Sequence, residues 1–144
     1  MIYTDLTKKA LCLCFEAHKD QVDKSGLPYV FHPFHIAEQM PDELTTVTAL
    51  LHDVVEDTPY TFSSLAEMGF PPEVLAALQL LTHDDDTPSL SYVARLKENP
   101  IARSVKLADL RHNSDLSRLN TVDDQALQRA QKYRQAMALL EDHV

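Results

Sequence analysis

ALLHDVVEDT, Ala49 to Thr58, opens on three apolar residues and then crowds His52, Asp53, Glu56 and Asp57 into six positions of a segment otherwise suited to burial. Leu44, Val47, Leu51 and Val54 run through it at steps of three, four and three, which predicts a helix with one buried face. Asp42 is placed to cap its start, and Thr58-Pro59 to end it. On such a helix His52 and Glu56 lie one turn apart, as do Asp53 and Asp57, so one patch near its end carries an imidazole and three carboxylates. Like charges repel there, burial strips their hydration, and the negative end of the helix dipole disfavours them further. No Lys or Arg adjoins them in sequence, and a divalent cation would offset these penalties.

Helical spacing recurs outward from this motif, whereas strict alternation over strand lengths is hard to find. Leu6, Ala10, Leu13 and Ala17 mark a first helix ending near His18 or Lys19. QVDKSGLPYVFHP follows as a loop broken by Gly26 and Pro28, and Pro33 suits the first turn of a second helix that ends near Met40. Beyond the motif, a short helix from Ser63 to Met68 stops at Gly69, and Pro71-Pro72 opens another with Val74, Leu75, Leu78 and Leu81 inward. HDDDTPS reads as a charged turn, followed by helices over Ser89 to Glu98 and Pro100 to about Leu116. Thr121 or Asp123 starts the last, with Ala126, Ala130, Tyr133, Met137 and Leu140 on one face. With 144 residues and only 2 glycines, the pattern predicts one all-α domain over residues 1–144, a compact bundle of about seven helices.

The charge balance excludes some classes of function. Lys and Arg number 13 against 22 Asp and Glu, a net charge of -9, which argues against a DNA- or RNA-binding surface. Cys12 and Cys14 are too close for an ordinary disulfide and lack further cysteines for a zinc site, so reduced core thiols are expected. The N-terminus lacks a secretory apolar stretch, and the run Ala10 to Phe15 is far short of a membrane span. The expectation is a soluble cytoplasmic protein with no membrane contact.

Further metal ligands must come from outside the motif. His32 and His35 flank HPFH on one helix face, and either can serve. In VKLADLRHN, Lys106, Asp109 and Asn113 share a face, so a cation, an anion and an amide point the same way. Two imidazoles with two carboxylates suit Mn, Fe, Zn or Co better than an oxygen-only Mg or Ca cage. Four such ligands leave octahedral positions for water and substrate, as a metal-dependent hydrolase requires. There is no Gly-rich phosphate loop, H-E-x-x-H or G-x-S-x-G.

KSGLPYVFHP, ALLHDVVEDT and VKLADLRHN, in this order, resemble the H…HD…D signature of HD-domain phosphohydrolases, and more narrowly the hydrolase domain of Rel/Spo-type alarmone enzymes and the stand-alone small alarmone hydrolases. The similarity runs from His18 to Asn113, with a weaker echo at Tyr133. The resemblance implies one divalent ion, manganese in this family, held by His32, His52, Asp53 and Asp109. It implies that Glu56 and Asp57 activate water and move protons. It implies a nucleotide held by Lys24, Ser25 and Tyr29 in the loop and by Lys106, Asn113 and Tyr133. The implied reaction removes pyrophosphate from the 3′ position of guanosine tetra- or pentaphosphate, a stringent-response alarmone. His18, His83, His112 and His143 are expected to be structural or surface residues.

At two places the chain departs from that pattern. Asp23 stands where these hydrolases carry a base just before the loop lysine, and HDDDT is acidic where some relatives carry Lys. A carboxylate in place of a stacking cation predicts weaker guanine binding. The alternatives are therefore an HD phosphohydrolase acting on another nucleotide, or a metal-bound nucleotide sensor without catalysis. No nucleotide-synthesising motif is expected between Asn113 and Val144.

Overall fold

The structure, a computed structural model, describes residues 1–82 and 90–141, without the side chain of Leu90. The charged turn HDDDTPS, with His83, and the C-terminal His143 lie outside the described residues. Nine α-helical segments are present among those described: α1 (Asp5–His18), α2 (Phe31–Glu38), α3 (Glu43–Leu51), α4 (Val54–Asp57), α5 (Phe62–Glu67), α6 (Pro72–Leu81), α7 (Leu90–Leu96), α8 (Pro100–Asn113) and α9 (Asp124–Glu141). A 3-10 turn, Leu116–Arg118, joins α8 to α9, and the described residues form no β-strand beyond an isolated bridge between Val22 and Pro28. None of these helices is long and apolar enough to cross a membrane.

The bundle is organised around α3, which packs against α1, α2, α6 and α8. Every residue from Thr45 to His52 is buried, so beyond its half-buried first two residues α3 has no solvent face. Its threonines survive burial because their hydroxyls bond locally: Thr46 donates to the Asp42 carbonyl at 2.6 Å and Thr48 to that of Leu44 at 2.8 Å. Asp42 caps the helix reciprocally with Thr45, as its side-chain chemistry predicts. Thr4 and Thr61 do the same for α1 and α5, and Pro begins or nearly begins α6 and α8.

In one respect the expected third helix differs. It does not run unbroken to Thr58 but stops at Leu51 and restarts at Val54, with Asp53 at φ -109° and ψ 4°. The His52 ring donates from Nδ1 to the Ala49 carbonyl at 2.7 Å, the acceptor a continuing helix would offer to the Asp53 N–H. The break turns Asp53 toward His52 instead of leaving it in a regular stripe with Asp57. On α9, Ala126, Ala130, Tyr133 and Leu140 are buried as expected, while Met137 is half-buried and Ala136 joins the core.

Candidate active site

His32 enters from the first turn of α2, His52 from the end of α3 and Asp109 from the middle of α8. All three are buried, and their ligand atoms lie within 4.8 Å of one another. His32 Nε2 is 2.8 Å from Asp109 Oδ1, and His52 Nε2 is 3.5 Å from the same oxygen. Asp53 lies beside this group, its Oδ2 3.0 Å from His52 Nε2. His35, the other imidazole of HPFH, is exposed and turned to Gln39, so the local fold distinguishes two histidines that spacing alone did not.

The donor set fits a cation. His52 commits Nδ1–H to Ala49, so Nε2 is the nitrogen left to meet a cation. That atom is buried without a hydrogen bond and faces two carboxyl groups. Burial raises the Asp53 carboxyl well above the usual range, and the charges of Asp109, Asp57 and Glu56 push it further. Asp109 is held well below that range: burial opposes its charge, but Lys106 and the two imidazoles outweigh it. One carboxyl is stabilised as an anion and its neighbour is starved of positive charge, the imbalance that a divalent ion corrects.

Lys106 and Asn113 do share a face with Asp109, and both bond to it, Lys106 Nζ at 2.9 Å and Asn113 Nδ2 at 3.2 Å. The Tyr29 hydroxyl donates to Asp53 Oδ2. Three residues expected beside substrate thus also orient acidic members of the cluster. Glu56 and Asp57 are exposed on α4, beyond the buried group. All of these residues, with Lys24, Ser25 and Tyr133, line one cavity of about 620 Å³.

Other lining or supporting residues escaped the sequence reading. His112, expected to be structural or superficial, stacks on His32 with centroids 4.9 Å apart, and the two Nδ1 atoms are 2.6 Å apart. Burial, with the charges of His32, Arg118 and His35 beside it, lowers its pKa to about 4, so a neutral His112 shares a hydrogen bond with His32 through the two Nδ1 atoms and helps to orient the ring whose Nε2 meets Asp109. Only its position on α8, one turn past Ala108, hinted at this. Arg118 and Arg129 also line the cavity.

Asp23 is not a bare anion at the mouth. Its Oδ1 accepts the Ser25 and Leu27 amides at 2.8 and 3.0 Å, shaping the turn, and its Oδ2 lies 3.3 Å from Arg118. The charge that predicted repulsion of a polyanion is offset by a residue far along the chain.

No family model matches the chain. It is 36% identical over 132 residues to the guanosine-3′,5′-bis(diphosphate) 3′-pyrophosphohydrolase MESH1 of Danio rerio, a match covering 82% of this chain and 72% of that protein. It is also 36% identical over 127 residues to a GTP pyrophosphokinase of Myxococcus xanthus, covering 76% of this chain. It spans only 17% of the length of that relative and of a probable GTP pyrophosphokinase of Mycobacterium leprae. A solved structure of a metazoan orthologue of SpoT that hydrolyses ppGpp superposes with a TM-score of 0.80 at 22% identity, over 99% of this chain and 89% of that one, and shares its helical fold. The extent of the match to the zebrafish protein settles the family: the chain belongs to the Rel/Spo-type guanosine-3′,5′-bis(diphosphate) 3′-pyrophosphohydrolases.

Proposed function

We propose that this protein hydrolyses guanosine tetra- or pentaphosphate at the 3′ position, releasing pyrophosphate and leaving GDP or GTP. The observation that carries the reading is the buried, unbonded Nε2 of His52 between two carboxylates at the floor of the cavity. His32, His52, Asp53 and Asp109 would hold one divalent ion, and the mixed nitrogen and oxygen donors support manganese. When bound, the ion supplies positive charge against the phosphoryl oxygens and lowers the pKa of water.

The chain's own groups do the rest. Glu56 and Asp57, exposed at the cavity on α4, take the proton of the attacking water and return one to the ribose 3′ oxygen as its bond to phosphorus breaks. Lys106 is kept cationic by Asp109 despite its burial, and so offsets charge developing on phosphate. Lys24, Ser25, Tyr29, Asn113 and Tyr133, which line the same cavity, would hold the nucleotide. Two free cysteines, Cys12 exposed and Cys14 buried, support a reducing, cytoplasmic setting.

The test is pyrophosphate release by purified, manganese-loaded protein across a panel of 3′-phosphorylated nucleotides, with guanosine tetraphosphate expected as the preferred substrate. Turnover of another nucleotide in its place would refute the substrate. No turnover of any would leave a nucleotide sensor.

A further inference from the structure

α4 is a single turn, and one turn does not hold itself together in water. Its last carbonyls have no intrahelical partner, and its acids oppose the helix dipole. Yet it carries Glu56 and Asp57, whose placement any role in the cavity demands. Its C-terminal end is tied from outside: Gln21 Nε2 donates to the Asp57 carbonyl at 3.0 Å.

That bond fixes the Gln21 amide, so its Oε1 is the atom facing His18 Nδ1 at 2.8 Å, and the imidazole must be the donor. His18 is fully buried, and its Nε2 is left without a hydrogen bond. A residue needed only for packing would carry no such orphaned atom; an apolar side chain would fill the space without it. What His18 gains is the Nδ1–H that orients Gln21. Gln21 also accepts the Tyr29 amide through its carbonyl at 2.9 Å, and the Tyr29 ring lies 5.0 Å from that of His18. One residue thus ties the end of α4 and the tyrosine that bonds Asp53.

We infer that His18 and Gln21 are positioning residues, a two-step relay from the end of α1 that holds the Asp57 end of α4 at its place in the cavity. The inference rests on the proposed role of Asp57 for its kinetic consequence, though not for its structural one.

Two measurements on the full chain test it. In manganese-loaded protein, Gln21→Met and His18→Leu should each lower kcat about tenfold, with KM and manganese affinity within about twofold of the parent, as expected for a misplaced catalytic group. His18→Asn places an amide N–H where Nδ1–H was and should restore most of kcat. The double variant should be no slower than the worse single one, because the two act in series. Unchanged kcat in Gln21→Met, a loss carried by KM or metal affinity, or multiplying effects would overturn the relay. Hydrogen exchange of the Asp57 and Thr58 amides, read without substrate, should quicken in Gln21→Met while α3 stays protected. Should the parent protein fail to release pyrophosphate, the substrate reading falls, and exchange at α4 still decides the relay, unaltered protection refuting it. Gln21→Met, changing a half-buried side chain, keeps the test open if His18→Leu does not fold.

Discussion

Nε2 of His52 lies 3.0 Å from Oδ2 of Asp53, yet the two make no hydrogen bond. The opposite ring nitrogen is already spent on Ala49, so Nε2 is left unbonded beside a carboxyl whose charge the surroundings resist. A cation placed between them would satisfy the nitrogen and favour the ionised carboxyl together.

Manganese should therefore stabilise the fold itself. At about 100 times its dissociation constant, a ligand bound only by the native state adds about 2.7 kcal/mol, a rise in Tm of about 5 to 10 °C for a chain of this size. Chelation should reverse the rise. His52→Ala should remove it, and a thermal scan with and without metal makes the comparison; an equal rise in the variant would place the ion elsewhere.

Glu56 and Asp57 are exposed, unlike the buried His32, His52 and Asp109. Glu56→Gln and Asp57→Asn should each lower kcat by about 10²- to 10⁴-fold, the range for a general acid or base. Manganese affinity, measured by calorimetry, should hardly change. Hydrolysis that survives Asp57→Asn would show that this carboxylate moves no proton.

Asp23 and Arg118 meet across the cavity mouth, 95 positions apart in sequence. Arg118→Ala should raise KM several-fold with a smaller effect on kcat, because it frees the turn bearing Lys24 and Ser25. The loss of two half-buried charge-assisted bonds, to Asp23 and to the His112 carbonyl, should cost about 1 to 3 kcal/mol of stability. Steady-state kinetics and urea denaturation check the two halves, and a fall in kcat alone would contradict the assignment.

Cys14 is fully buried, and burial, with the charge of Asp53, pushes its thiol up to about 12 from 9.0, while Cys12 is exposed. At pH 8 a thiol reagent should modify one cysteine per native chain, Cys12, and both after denaturation. Between pH 9 and 12 the unfolded chain loses this proton and the native chain keeps it. Stability from this group is thus complete below pH 9 and declines as pH rises, by about 1.4 kcal/mol per unit. A Cys14→Ala variant should show a correspondingly flatter alkaline decline in chemical denaturation.

The sequence by itself determined most of the helices and their caps, because these depend on neighbours within one turn. Asp42 caps α3 through Thr45, and Lys106, Asp109 and Asn113 meet along α8, all at spacings a reader can count. Only the tertiary structure decided the rest. It set His32 against Asp109, 77 positions away, while leaving His35 exposed, and it gave His112 a place behind His32 across 80 positions. It broke the expected long helix at His52 and Asp53, where the ring's bond to Ala49 redirects the backbone. It also supplied Arg118 to Asp23 and Gln21 to Asp57. Local periodicity carries no record of such pairs, since they exist only once α3 is buried among α1, α2, α6 and α8 and distant side chains must satisfy one another's charge and hydrogen bonds.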